Sequence, residues 1–176
     1  MTDAQAQDHA HTAAHAFAEV AASHPSRAAV RHADTRLTYA ELAARAGGLA
    51  SELRARGIGR GDVVATLLQR SPACAIAALA AWAVGAAYVH IEPTDPDARI
   101  GSLLDAVAPK AVLTDSADVS RVAPGPYFVC SISDGLSQAP YHVSDPVSDD
   151  DLAYLVFTSG STGRPKVVEI THNQLV

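Results

Sequence analysis

The chain has 176 residues, 48% hydrophobic and 18% charged, a composition typical of one globular domain. Its formal net charge is −6 and it carries no basic run, which argues against a nucleic-acid partner. The polar N-terminus lacks an apolar signal core, and Cys74 and Cys130 have no close partner in sequence. We interpret the alanine-rich stretch 73–89 as a buried helix and strand, not a membrane span. These features predict reduced core thiols and a cytoplasmic protein without membrane contact.

The first third of the chain predicts two helices and a strand. Residues 1–11 are expected to be disordered, and residues 12–176 to form one domain. A helix is predicted over residues 12–23 and a strand over residues 28–32, with Asp34-Thr35 as its turn. Thr38 and Glu41 have the spacing of a capping box for the next helix, which Gly57 is placed to end. Gly47-Gly48 in that helix indicates close packing.

The remaining segments alternate between strands and helices. Strands are predicted at residues 63–68, 88–91, 111–114, 127–130, 152–157 and 167–170. Ser71 is the expected N-cap of one helix, with Pro72 at its first position. Asp95-Pro96 is expected to cap another, which extends to about residue 107. The alternation predicts right-handed βαβ units in an α/β fold, with a mostly parallel sheet and helices on both faces.

One stretch near the C-terminus concentrates groups that bind phosphate. It reads Thr158-Ser-Gly-Ser-Thr-Gly-Arg-Pro-Lys166 and follows an apolar strand. Hydroxyls, glycines that allow close backbone approach and one cation suit a polyphosphate. The candidate ligand-binding residues are Thr158, Ser159, Gly160, Ser161, Thr162, Gly163 and Lys166.

The spacing of this stretch differs from that of the common P-loop. Gly160 and Gly163 are three residues apart, and a β-branched run follows Lys166 where the P-loop has a helix. We therefore predict a phosphate loop between two strands, with no helix dipole behind it. The alternative is a flexible Ser/Gly linker.

Histidines offer weaker candidates. His11 and His15 have helical i, i+4 spacing, but no nearby Cys, Asp or Glu completes a metal site, so a solvated helix is the better interpretation. His90, at a predicted strand end, is given no role. His172 could orient its turn or contact a ligand, and the residues alone do not decide between these. No catalytic residue and no metal ligand is assigned.

Three stretches of the chain resemble adenylate-forming (AMP-binding) enzymes. The segment 158–166, with Leu152-Ala-Tyr154 before it and His172 after it, is similar to the signature of this superfamily. Leu37-Thr-Tyr-Ala-Glu-Leu42, with Gly57 and Gly61-Asp62, resembles its first motif. Gly85-Ala-Ala-Tyr-Val-His-Ile-Glu-Pro93, with Arg99-Ile100, resembles the second, in the form found in adenylation domains of nonribosomal peptide synthetases.

The resemblance implies a two-step reaction. A carboxylate attacks the α-phosphate of ATP in the presence of Mg²⁺, and the resulting acyl-adenylate passes to a thiol on the phosphopantetheine arm of a carrier protein. By the same resemblance, Thr158–Gly163 and Lys166 hold the β- and γ-phosphates. The substrate would be an amino acid or another carboxylic acid, and antibiotic biosynthesis is a typical setting.

Departures from the family pattern open alternatives. Val167 stands where the family usually has glycine, and His90 and Glu92 depart from the usual second motif. Val167 would be strained if its φ were positive, and harmless if it begins a strand.

The chain is also far shorter than family adenylation domains. The substrate pocket, the magnesium ligand, the ribose-binding aspartate and the catalytic lysine of the family have no counterpart in it. We expect an incomplete N-terminal subdomain, as a cut or split piece or a gene remnant. It would be inactive alone and would need the remainder of the domain. The alternatives are a non-catalytic pseudo-adenylation scaffold and a fragment of an acyl-CoA or aryl-acid ligase.

Overall fold

The computed structural model describes residues 12–132, 137–143, 147–158 and 165–175. The helices that it describes are α1 (Ala13–Ser23), α2 (Tyr39–Ala55), α3 (Pro72–Ala83), α4 (Asp97–Val107) and α5 (His172–Leu175), with a 3-10 turn at Val119–Arg121. The strands are β1 (Ala28–His32), β2 (Thr35–Thr38), β3 (Val63–Leu67), β4 (Ala87–Ile91), β5 (Ala111–Thr114), β6 (Phe128–Ser131), β7 (Leu152–Thr158) and β8 (Lys166–Thr171). Among these elements, no helix is long and apolar enough to cross a membrane.

Six of the strands form one sheet in the order β6-β5-β3-β4-β7-β8. The first five strands in this order run parallel to their neighbours, and β8 pairs with β7 antiparallel. The predicted α/β fold with a mostly parallel sheet is confirmed. A consequence is that the carboxyl ends of β3, β4, β5 and β7 lie at one edge, which we call the carboxyl edge.

Side chains alternate between the two faces of the sheet, and each face has its own core. Val64 and Tyr88 point to the face covered by α2 and α3, where Leu49 and Leu53 are fully buried. The opposite face packs β-branched strand residues against α4. Helices therefore cover both faces, as predicted, and apolar burial on both sides explains why β3 and β5 read as continuous apolar runs.

The ends of α2 follow the sequence prediction. Thr38 N donates to Glu41 Oε2 (2.8 Å) and Glu41 N donates to Thr38 Oγ1 (3.2 Å), which completes the capping box. Gly57 follows the C-cap with φ of +71°, a conformation that costs glycine little.

The N-cap positions of α3 and α4 agree with the prediction, but neither cap has a side-chain hydrogen bond. Ser71 occupies the N-cap of α3, but its side chain makes no capping hydrogen bond. The N-cap of α4 is Pro96, which has no side-chain acceptor, and the Asp95 carboxylate instead lies 3.4 Å from Arg99 Nε. Because the chain enters α4 through Pro96, Asp95 is one residue too early to cap.

A small antiparallel hairpin replaces the turn expected at Asp34-Thr35. Thr35 is already the first residue of β2 and pairs with His32 of β1. Ala33, with φ of +47°, and Asp34 form the turn. The two strands make a separate two-stranded sheet beside the main one. The sequence did not predict β2, because only one of its four residues, Leu37, is buried.

The glycine pair in α2 packs against the segment 137–143. A Cβ on Gly47 would lie 2.3 Å from Ala139 O, and one on Gly48 would lie 1.5 Å from Ser137 O. Ala139 N also donates to Ala44 O, 3.1 Å away. The close packing expected from Gly47-Gly48 is confirmed.

Candidate functional site

The predicted phosphate loop connects β7 to β8 at the carboxyl edge. Thr158, the last residue of β7, is the register partner of Lys166, the first residue of β8. Both side chains are exposed. The remaining predicted ligand residues, Ser159–Gly163, lie outside the described residues. The prediction that strands flank this stretch on both sides is confirmed by the described residues.

Lys166 is available to an anion from outside the described chain. Within the described residues, no carboxylate oxygen lies within ion-pair distance of its Nζ. Lys110, by contrast, is held by the carboxylate of Asp62 at 3.3 Å. An exposed and uncompensated ammonium beside a hydroxyl is a suitable place for a phosphate group.

Val167 is compatible with this geometry. It pairs with Phe157 in the ladder and packs its side chain against the core on the α4 face. Its φ is not positive. Val167, which stands where the family usually has glycine, therefore belongs to an ordinary extended strand, where β-branched side chains are favoured.

The neighbouring strand brings a polar group of side chains to the same edge. His90 Nδ1 lies 3.1 Å from Thr66 Oγ1, and His90 Nε2 lies 3.6 Å from Glu92 Oε1. Arg70 Nη2 donates to the same carboxylate oxygen at 2.9 Å. Burial lowers the pKa of His90, which favours the neutral ring, and the hydrogen bond from Arg70 lowers the pKa of Glu92. His90 and Glu92, which depart from the usual second motif, thus contact each other, and Glu92 also pairs with Arg70.

Aromatic rings lie beneath this polar group. Tyr88 and Tyr154 stack with centroids 5.5 Å apart, and Thr66 Oγ1 donates to the Tyr88 hydroxyl at 3.2 Å. Burial raises the pKa of Tyr88, so its hydroxyl stays neutral. The stacked rings therefore join the neighbouring strands β4 and β7 on one face of the sheet.

The sequence did not predict a role for Arg121. Its guanidinium donates to Asp95 O at 2.8 Å and to Pro93 O, and its Nε donates to Asp97 Oδ1 at 2.9 Å. One side chain therefore holds the turn that leads from β4 into α4. An isolated arginine in a polar stretch carries no sequence signal of such a role.

His172 lies at the opposite end of β8 from Lys166. The six residues of β8 separate them by about 20 Å at 3.3–3.4 Å per residue. The ring of His172 is fully buried and contacts Trp82 edge-on, with centroids 6.1 Å apart. The structure therefore decides between the two roles left open above, because His172 orients its turn and is remote from the phosphate loop.

Comparison with known proteins identifies the family. The model of the family described as AMP-binding enzyme matches residues 17–176. The chain belongs to this family. Over 90% of its length it is 39% identical to N-(5-amino-5-carboxypentanoyl)-L-cysteinyl-D-valine synthase of Amycolatopsis lactamdurans. It is 40% identical, again over 90% of its length, to isonitrile lipopeptide synthase of Streptomyces coeruleorubidus.

Solved structures agree with this assignment. The N-terminal subdomain of NpsA from Klebsiella oxytoca superposes with a TM-score of 0.78 and 33% identity, over 92% of this chain and 42% of that one. The chain spans only 4% and 11% of the two synthases. The AMP-binding family member described here thus corresponds to the N-terminal part of an adenylation domain of the nonribosomal peptide synthetase type, in a family of ATP-using enzymes.

Proposed function

We propose that this chain supplies the phosphate-binding part of an amino-acid-activating adenylation domain. The complete domain would join a carboxylate to ATP, release pyrophosphate and pass the acyl group to the phosphopantetheine thiol of a carrier protein. The observation that carries the proposal is the pairing of Thr158 at the carboxyl edge with an exposed Lys166 that has no ion-pair partner among the described residues. The peptide-synthase relatives support the amino-acid substrate class.

Within that reaction, the residues of the loop would bind the departing end of ATP. Lys166 would neutralise the β- and γ-phosphates, and Thr158 with the loop residues Ser159–Gly163 would donate hydrogen bonds to them. Holding pyrophosphate in this way fixes the α-phosphate for in-line attack and stabilises the charge that develops on the leaving group. ATP supplies the adenylyl group, and pyrophosphate is the leaving group. No ligand for Mg²⁺ is assigned in this chain, and within the described residues no cluster of three metal-binding side chains occurs.

The partners follow from the same proposal. The rest of the adenylation domain would supply the carboxylate pocket, and a carrier protein would receive the acyl group. An artificial fusion of NpsA with a carrier protein superposes on this chain with a TM-score of 0.79 and supports that setting. We propose that the 176-residue polypeptide alone gives no amino-acid-dependent pyrophosphate exchange, because it contributes only the phosphate side of the site.

One alternative substrate class has specific support. The NpsA subdomain has been solved in complex with 3-hydroxybenzoyl-AMSN, an aryl-acid analogue, and it is 32% identical to this chain. Pyrophosphate exchange by the completed domain with amino, aryl and fatty acids would separate these classes. A pseudo-adenylation scaffold would give no exchange with any of them.

Nucleotide binding by the chain tests the phosphate site. Lys166→Met should weaken ATP binding by roughly 10- to 100-fold, the range for losing one charged hydrogen bond. Lys110→Met is the matched control, because Lys110 pairs with Asp62 at the opposite edge of the sheet and should leave the affinity unchanged. Equal ATP affinity in the wild type and Lys166→Met, measured by calorimetric titration at one fixed salt concentration, would refute the assignment.

A further inference from the structure

Both strands of the phosphate-loop hairpin are tied to α3 at their base. Trp82 of α3 donates its indole N–H to Ala153 O of β7 at 2.7 Å. The same indole packs against the ring of His172, which directly follows β8, at an interplanar angle of 72°. The Trp82 side chain thus contacts both β7, which leads into the loop, and His172, which directly follows β8. We call Trp82 and His172 the hairpin anchor.

The turn before β7 completes the anchor. His172 N donates to Asp151 O at 3.0 Å, and Asn173 N donates to Asp149 O at 2.8 Å. Asp151 is in turn fixed by Arg60, whose Nε lies 2.8 Å from Asp151 Oδ2. Any movement of His172 would therefore be transmitted to α5, to this turn and to the start of β7.

The ring of His172 is buried although its two polar nitrogens lack hydrogen bonds to the described residues. It is fully excluded from solvent, and neither ring nitrogen has a hydrogen-bond partner among the described residues. Asp149 Oδ1 is buried and unpartnered in the same way. Unpaired buried polar groups are costly, and a charged ring would cost far more than a neutral one.

Three elements bring side chains close to the His172 ring, and their charges act on it in different directions. Asp149 and Asp151 of the turn favour the charged ring, His15 of α1 disfavours it, and Trp82 of α3 carries no charge. Burial outweighs the carboxylates and lowers the pKa of His172. A lowered pKa in the folded state means that the unfolded chain binds the proton more readily. The contribution of this group to stability is therefore complete above about pH 6.5 and is lost as the pH falls through the folded pKa.

We propose that Trp82 and His172 position the β7–β8 hairpin, and with it Thr158 and Lys166, and that this anchor holds only while the His172 ring is uncharged. Protonation expels the ring from its apolar site, breaks its contact with Trp82 and loosens the base of the hairpin. The consequence for ATP rests on the proposed function, whereas the anchor itself does not. Both residues are positioning residues, since each lies at the end of the hairpin remote from the loop.

The single tryptophan of the chain makes the anchor directly observable. Emission of Trp82 is recorded in the full chain without nucleotide from pH 7.5 to pH 5. We expect a transition with its midpoint below about 6.5 in the wild type. His24→Gln, which changes an exposed histidine at the end of α1, should keep that transition. His172→Phe, which retains a ring against Trp82 but cannot be protonated, should abolish it.

Hydrogen exchange measures the coupling to the hairpin. After correction for intrinsic rates, amides of β7 and β8 in the wild type should lose protection at pH 5.5 relative to pH 7, by at most about tenfold, because pH 5.5 lies about one unit below the ordinary histidine pKa. Amides of α4 that exchange by local opening should not change, and His172→Phe should remove the effect.

The proposal is overturned if the emission of wild-type Trp82 is flat over this range, or if His172→Phe retains the transition. It is also overturned if protection of β7 and β8 is the same at both pH values. No ligand is present, so failure of the phosphate site would not produce any of these results. His172→Gln provides a second non-titrating variant if the phenylalanine prevents folding.

Discussion

Substituting Gly47 in α2 by alanine should release the segment 137–143 from the helix. The added Cβ would lie 2.3 Å from Ala139 O and 2.6 Å from Pro140 O, both of them backbone atoms. Favourable contacts between such atoms begin at about 3.5 Å. The segment must therefore move away, and its movement disturbs the hydrogen bond from Tyr141 Oη to Leu79 O, now 3.1 Å long.

Two opposing effects set the magnitude. Alanine stabilises the interior of a helix by about 1 kcal/mol relative to glycine. Overpacking against these backbone atoms costs about 1–3 kcal/mol, and a displaced hydrogen bond costs about 1 kcal/mol more. We expect a net destabilisation of about 1–3 kcal/mol, which is substantial against a total stability of about 5–15 kcal/mol.

Urea denaturation followed by circular dichroism measures this difference. With an m-value of about 2 kcal/mol/M, the midpoint should fall by about 0.5–1.5 M. Gly101→Ala is the matched control, because Gly101 lies within α4 and a Cβ there meets no atom within 4 Å. The control should gain up to about 1 kcal/mol. If Gly47→Ala is as stable as Gly101→Ala, the packing of residues 137–143 on α2 is wrong.

Two further predictions concern a helix cap and a thiol. Thr38→Ala should destabilise the protein by about 1 kcal/mol in the same urea assay, because it removes the acceptor of Glu41 N, whereas the exposed Thr35→Ala should change stability by less than about 0.5 kcal/mol. Burial raises the pKa of Cys130 to about 11. The rate of alkylation of this thiol by iodoacetamide should therefore keep increasing with pH well beyond pH 9. A rate that levels off by pH 9 would contradict the burial of this thiol.

Features that depend on neighbouring residues were predictable from sequence. The capping box at Thr38, the C-terminal glycine of α2 and the strands that flank residues 159–164 each rest on residues within a few positions of one another. The alternation of strands and helices was sufficient to predict the mostly parallel sheet, because only a few chain paths satisfy it. The cap expected at Asp95-Pro96 is made by Pro96 alone, so the aspartate carboxylate does not cap the helix.

Features that depend on distant residues could not be predicted. Trp82 and Ala153 are 71 positions apart and are joined by one hydrogen bond. Arg121 closes a turn 26 positions earlier in the chain. Gly47 and Gly48 indicated that another part of the chain packs closely on α2. The segment that does so, residues 137–143, has no periodicity that would identify it in the sequence. Contacts of this kind are set by the packing of the whole fold, and a local pattern contains no trace of them.

We propose that the end of the β7–β8 hairpin holds the β- and γ-phosphates of ATP. Titrating the chain separately with ATP, ADP and AMP at one salt concentration tests this most directly. We expect the affinity of the chain to fall from ATP to ADP to AMP, and we expect inorganic pyrophosphate to compete with ATP. Equal affinity for AMP and ATP, or no competition by pyrophosphate, would contradict it.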